Sequence, residues 1–404
     1  MKKIIITSKK TTVMSAKPKK PSIDSIIPSH LKIFKTLQHF GFKHADKPEH
    51  TNLEKKLLSK YDTEYLIDTL VFQKQIIEKK FEGFSFPANI AYTNTPDSFI
   101  YHIIGTKKNI YDAIAIETSH AILEEIYGKK SDIVIDVNFI GDKESVQKFH
   151  KELNVFFKKN LKYIPKNILT LSKKNLYKAY RELEGKEIYL QNKKNEKELI
   201  SIPNPIDYLS EASRLEFKDI LEYMENIELN FRINPFLFNN SDIYGGIIFE
   251  AKNLSDSKHV ITVRGGRHDI ISKKILSKKE IPIISIHVDG LKNIDKLIKP
   301  ITTLKTIDES NVKFFYAQLG NEARFKTLKL LNMMRSANIL MHHDLSKDKI
   351  SAQLQHAERL NVPYLLLIGH REALQNSVMV RNMKNLSQEC VELQHLIEHI
   401  KKLL

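Results

Sequence analysis

The sequence predicts an α+β protein, with a core of antiparallel strands and packed helices followed by a C-terminal α/β domain. Two observations lead there. Between Ile227 and His287, short apolar runs rich in β-formers succeed one another, as in an antiparallel sheet. From Val312 onward such runs alternate with segments of helical periodicity, which gives a small open sheet with helices on its faces.

Taken in order, residues 1–26 are rich in Lys, Ser, Thr and Pro and read as a disordered basic arm. Pro28–Phe42 becomes a helix ending near Gly41. Asn52–Lys60 and Thr63–Phe81 are helical, with Tyr65, Leu66, Leu70, Ile76 and Ile77 on the apolar face. Asn89–Thr93 and Ser98–Ile104 are strands, and Ile110–Tyr127 is a helix whose Asp112, Glu117, Glu124 and Glu125 read as a solvated face. Ser131–Ile140 is an apolar strand ending at Gly141, and Lys143–Lys159 is an amphipathic helix. A helical and charged insertion covers about 142–230, in which Ser172–Leu199 is a surface excursion and Pro205–Ile227 a helix. Ile227–Leu237, Ile243–Lys252 and His259–Arg267 read as successive antiparallel strands, joined by Ile281–His287. Asp289–Ile298 is a short helix and Lys299–Ser310 the linker, so the core domain spans 27–310.

In the tail, 311–404, Val312–Leu319 and Asn338–His342 are strands flanking a helix over Asn321–Arg335. Lys349–Asn361 is a helix with Ile350, Leu354, Ala357 and Leu360 on one face and Ser346 or Asp348 as its cap. Tyr364–Ile368 is a buried strand, Ser377–Met383 a half-buried edge strand, and Val391–Leu404 the closing helix.

The length of 404 residues leaves room for two or three domains. No apolar run approaches the roughly 20 residues of a membrane span, and the apolar run in Met1–Thr7 is too short for a signal peptide. A lone cysteine, Cys390, rules out a disulfide framework and makes a reducing cytoplasm the expected location. The net charge of +16 fits a polyanionic partner such as RNA, and fits equally a compositional bias toward Lys, Asn and Ile. His342-His343-Asp344 is no metal cluster, because neighbouring strand residues point to opposite faces; no metal is expected.

The run from Lys349 through Gln353, Ala357, Pro363, Gly369 and Glu372 to Val380-Arg381 resembles the anticodon-binding domain of the histidyl/glycyl/threonyl/prolyl group of class II aminoacyl-tRNA synthetases, most closely the histidyl type. Gly41-Phe42 followed by Pro48 resembles the first class II signature, and the run from Val134 to Gly141 resembles the strand after the second. The resemblance implies a class II antiparallel sheet, a dimer interface, and arginines that steady charge building on the ATP α-phosphate. Those arginines are missing. The first arginine of the chain is Arg181, so none serves the second signature. Gly290-Leu291-Lys292-Asn293 stands where the third signature ends in arginine, which is thus Asn293. Asn239 replaces a substrate-side arginine, while Asp242, Tyr244 and Glu250 match the family. Lysines nearby, such as Lys107, Lys108 and Lys292, carry charge but not the bidentate fork.

Gly265-Gly266-Arg267-His268-Asp269 resembles a segment that lines the amino-acid pocket in the family, with His268 in place of tyrosine. Either a small pocket survives, lined by Tyr244, Gly245, Gly246, Gly265, Gly266 and Arg267, or these glycines pack the sheet closely and the pocket has collapsed. In the tail, Lys347, Lys349, Gln353, Arg371 and Arg381 are the expected RNA contacts. The expectation is a non-catalytic paralogue of histidyl-tRNA synthetase, without cofactor, that binds tRNA or another structured RNA or serves as a regulatory or accessory subunit, with a homodimer or a protein partner. The alternatives are a diverged but active histidine ligase using ATP and Mg, and a scaffolding dimer with no RNA role.

Overall fold

A computed structural model describes residues 28–48, 71–72, 87–186, 189–191, 197–199, 201–238, 244–255, 261–269, 281–291 and 312–404. The expected basic arm, the helix over Asn52–Lys60, most of that over Thr63–Phe81, the linker, and the Asp289–Ile298 helix beyond Leu291 lie outside these residues.

After the Pro28–His39 helix, Gly41 turns the chain at a φ of +80° into β1, Lys43–His44. Next come β2 (Ala88–Thr95), β3 (Ser98–Ile104) and β4 (Ile133–Phe139), a small hairpin of β5 (Tyr189–Gln191) and β6 (Lys197–Leu199), then β7 (Phe231–Ile233), β8 (Ile247–Asn253), β9 (Thr262–Arg267) and β10 (Ile283–Asp289). All but the hairpin form one sheet in the order β1-β2-β3-β10-β9-β8-β4-β7. Its interior pairs are antiparallel, while β1 and β7 run parallel to their neighbours at the two edges. The predicted strand over Ile227–Leu237 is therefore only Phe231–Ile233, and it is parallel to β4.

One face of this sheet, including Tyr101, Val137, Phe249, Val263 and Ile286, packs under the Asn109–Tyr127 helix. That helix is buried from Ile110 to Leu123 except at His120, so it is a core helix and not an amphipathic one. The opposite face is covered at one end by Phe72, which meets Tyr92 and His102 at ring distances of 5.4 and 6.3 Å. At the other end Ile248 and Tyr244 join an apolar cluster with Phe149, Tyr180 and Phe238. Tyr180 comes from the expected surface excursion, part of which is instead two packed helices, Lys166–Lys174 and Leu176–Arg181.

The tail is a five-stranded mixed sheet in the order β12-β11-β13-β14-β15, built from β11 (Phe314–Gln318), β12 (His342–His343), β13 (Tyr364–Ile368), β14 (Ser377–Asn382) and β15 (Gln388–Glu392). β12, β11 and β13 are parallel, and β14 and β15 are antiparallel. β14 is thus interior and β15 is the edge, because Gln388–Glu392 pairs with it before the Leu393–Leu403 helix begins. The Ile350–Arg359 helix starts without the expected side-chain cap. Asp348 binds Lys108 and Arg324 instead, and the Ser346 hydroxyl donates to Asp344. Leu360 is exposed, off the apolar face assigned to it. A further short helix, His370–Leu374, follows Gly369, whose N–H donates to Glu372 Oε2 at 2.9 Å.

The Asn321–Ser336 helix packs against the helices Pro28–His39, Asn109–Tyr127 and Glu211–Asn226, so the two sheets share a seam. Tyr223 meets Phe325 there at 4.8 Å, and Lys108 donates to Asp348 at 2.6 Å and to the Ser346 carbonyl at 2.8 Å.

Candidate functional site

The open middle of the first sheet carries a ladder of charge. Arg232 on β7 grips Asp136 on β4, and Lys252 on β8 lies 3.4 Å from the same carboxylate. Glu250 is held between Lys252 at 3.5 Å and Arg264 at 2.8 Å. Burial pushes the Asp136 carboxyl up, but Arg232 and Lys252 together hold it below the usual carboxylate range. The sequence signal for this row is the alternation of Asp136 and Asn138 within an otherwise apolar strand.

Arg267, at the end of β9, is buried. Its Nε donates to Asp112 Oδ1 at 3.0 Å and its Nη2 to Asp112 Oδ2 at 2.5 Å. Its Nη1 donates to the Thr106 carbonyl at 3.0 Å and reaches Asp269 Oδ2 at 3.5 Å. Asp269 in turn accepts from the Ile283 N–H. Burial raises the pKa of Asp112, and that of Asp269 to about 6, against the pull of Arg267. The solvated acidic face expected on this helix is therefore mostly interior: Asp112 and Glu117 are 1% and 2% exposed, Glu124 pairs with Arg335 at 2.5 Å, and only Glu125 is exposed.

The glycines are packed upon. A Cβ on Gly265 would lie 2.5 Å from Phe249 Cζ, and one on Gly266 would lie 2.9 Å from the Ile247 carbonyl and 3.1 Å from Tyr244. Gly246, at a φ of +87°, sits against the Arg267 side chain, and the Gly245 N–H donates to the Arg267 carbonyl. Tyr244 and His268 touch at a ring distance of 4.3 Å. Burial keeps His268 and His102 neutral, each near a pKa of about 3. His102 is held by Ser285 at 2.9 Å and Tyr92 at 3.3 Å. Of the predicted pocket residues, Gly266 packs against Tyr244, which meets His268, and Gly246 packs against Arg267, while Gly265 faces Phe249 and Ile286 under the Asn109–Tyr127 helix. Asn239, Asp242 and Asn293 lie outside the described residues. Lys108 faces the tail, where it binds Asp348.

In the tail, Lys347, Lys349 and Arg371 are exposed. They follow the C-terminal ends of parallel β12 and β13, near the start of the Asn321–Ser336 helix, whose Arg324 and Glu322 reach Asp348 and His370. Arg381 pairs with Leu365, toward the other end of the sheet. Its Nε is buried without a hydrogen-bond acceptor, beside a cavity of about 200 Å³ lined by Leu354, Glu358, Asn361, Val362, Met383 and Leu386. Gln353 is not a surface residue: it is buried, accepts from the Gln318 N–H at 2.9 Å and donates to the Gln318 carbonyl at 2.8 Å. A backbone group inside the sheet has taken the side chain expected to face RNA. His342 and His343 share β12, the latter against Gly41, and among the described residues no three His, Cys, Asp or Glu side chains gather as a metal site. No helix among those residues is long and apolar enough to cross a membrane.

Residues 316–403 match the anticodon-binding domain family model of the same synthetase group. The histidine–tRNA ligase of Thermosipho melanesiensis is 24% identical over 303 residues, covering 74% of this chain and 68% of that protein. That of Phytoplasma mali is 26% identical over 303 residues, covering 74% and 69%. The apo S. aureus histidyl-tRNA synthetase structure aligns over 93% of this chain and 97% of that one, at 19% identity and a TM-score of 0.47. An antiparallel sheet over a buried helix, a mixed-sheet tail matching the anticodon-binding model, and these sequence likenesses make the chain a histidyl-tRNA synthetase-like protein of class II.

Proposed function

We propose that this chain acts by binding tRNA or another structured RNA through its anticodon-binding domain, and that its sheet face does not form an aminoacyl adenylate. The observation that carries the second half is Arg267. In a closed site, cations aimed at developing charge are worth several kcal/mol each, but this guanidinium is buried among Asp112, Thr106 and Asp269. The two positions where the family carries further arginines are Asn239 and Asn293. The carboxylates Asp136 and Glu250 are each held by two cations, so neither is free for the magnesium that ATP would bring.

Arg381 supports the first half. Its fork stands beside apolar walls and the polar Glu358 and Asn361, a combination suited to an unstacked base. Lys347, Lys349 and Arg371 supply phosphate contacts on another side of the same domain. The remaining divisions of the chain, a basic arm over 1–26 and a core over 27–310, follow the same reading, as do a homodimer and a cytoplasmic location. A regulatory or accessory role would use the same RNA contact.

The test is binding of a bulk tRNA pool to the full-length protein at rising salt. Affinity should fall steeply with salt, because phosphate contacts release counterions, and Arg381→Ala should weaken binding at every salt concentration. A salt-independent or absent interaction would favour the scaffolding dimer instead.

A further inference from the structure

The seam between the two sheets buries more charge than a static contact needs. From the Asn109–Tyr127 helix come Glu117, His120 and Glu124; from the tail come Asn332, Arg335 and Asn338; from the first helix comes His39. Arg335 is committed to Glu124 at 2.5 Å, and its Nε has no acceptor. Glu117, 2% exposed, lies 4.0 Å from His120 Nδ1 and accepts a hydrogen bond from the Asn332 side chain, with the Arg335 charge nearby. Among the described residues, Lys32 pairs with Glu125 at 3.3 Å at the exposed rim, and Glu228, Lys329 and Lys401 line a cavity with Asn332. One guanidinium thus serves two carboxylates, Glu117 fully buried and Glu124 partly so, while both imidazoles sit close to that same cation. With both carboxylates ionised and both imidazoles neutral, the cluster carries a net negative charge, and a proton on Glu117 removes it.

We propose that this seam is a proton-linked latch, in which Glu117 holds a proton while the anticodon-binding domain is docked on the core. The proposal does not depend on what the tail binds. Burial, with Glu124 adding to it and Asn332 and Arg335 opposing it, raises Glu117 to about 7. An acid raised on docking takes up a proton, so its contribution favours the docked state most at low pH. That contribution declines from the ordinary carboxylate range up to about pH 7. His39, lowered by burial and Arg335 to about 4, and His120, lowered by the same causes, act in the opposite direction. They are charged only when the seam opens, so acidification below about pH 6.5 works against docking. The native protein therefore combines two opposed slopes, and removing Glu117's charge should expose the histidine slope alone.

The measurement is amide hydrogen exchange of the Asn321–Ser336 helix in the full-length chain between pH 5 and pH 8, corrected for intrinsic exchange. Glu117→Gln mimics the protonated side chain. Relative to the native protein, its seam protection should rise at least about tenfold from pH 5 to pH 8, since more than one unit of pKa shift is removed. Asn332→Asp, which sets another carboxylate beside Glu117, should shift protection the other way, and exposed Glu125→Gln should leave the profile unchanged. A ratio of Glu117→Gln to native protection that stays flat across this range, or an unchanged profile in Asn332→Asp, overturns the latch.

Discussion

Arg267 closes β9 in the first sheet and Arg381 lies near the end of β14 in the second, yet the molecule uses them in opposite ways. Arg267 is surrounded by acceptors from its own chain and meets glycines whose space is already filled. Arg381 has a buried Nε with no acceptor and a cavity at its side. A guanidinium engaged internally stabilises a fold; one left without an internal partner is free to recognise something. The proposed division of labour, a core serving as scaffold and a tail serving recognition, rests on this contrast.

The largest effect should come from breaking the internal engagement. Asp112→Ala leaves the Arg267 charge buried without its main partner and should lower unfolding free energy by about 3–5 kcal/mol in denaturant titration. A loss below about 1 kcal/mol would mean that Arg267 reaches water, and with it a usable pocket. Gly265→Ala should cost about 1–3 kcal/mol, because Phe249 must move to admit the methyl group; a neutral result would show that the core under the Asn109–Tyr127 helix has room to spare. Gln353→Leu removes both bonds to Gln318 and should cost about 1–3 kcal/mol of stability without changing RNA affinity. Weaker RNA binding at unchanged stability would return Gln353 to the interface. Arg381→Ala should do the converse, lowering RNA binding by about 1–3 kcal/mol with the melting transition unmoved. The smallest effects belong to Lys347→Ala and Lys349→Ala, each expected to reduce the salt slope of binding by about one.

Acid should act on the core side of the comparison. His102 and His268, lowered to about 3 by burial, stay neutral in the fold, whereas unfolded imidazoles take up protons near pH 6.5. At these rings, and at His39 and His343, lowered to about 4, the unfolded state binds more protons across that interval, which outweighs the opposite pull of the raised Glu117 and Asp269, so global stability should fall as pH drops below about 6.5. Stability that stays level from pH 7 to pH 4 would place these rings in contact with water.

The strands of both sheets were legible in the sequence because β-branched and apolar residues cluster in short runs between turn signals. Three of the tail helices were legible from their 3.6-residue spacing, while His370–Leu374 is too short to show one. What was hidden depends on partners distant in sequence. The Asn109–Tyr127 helix shows Asp112, Glu117 and Glu124 as if for solvent, but Asp112 answers Arg267, which lies 155 residues later, and the other two face the tail. Gln353 matched its family position, yet its neighbour proved to be the Gln318 backbone, which no local pattern reveals. β15 carries polar, exposed residues and so lacked the alternation that marks a half-buried strand. That Phe249 and Tyr244 occupy the side-chain space of Gly265 and Gly266 likewise rests on contacts that no local pattern reveals.

The central claim is that the sheet face lacks the cations that adenylate formation needs. ATP–pyrophosphate exchange with histidine, run on the full-length protein beside an active histidine–tRNA ligase, tests it most directly. The account predicts no exchange above the enzyme-free background. Histidine-dependent exchange that disappears in an Arg267→Met variant would contradict it, since the guanidinium assigned here to the scaffold would then be serving the reaction.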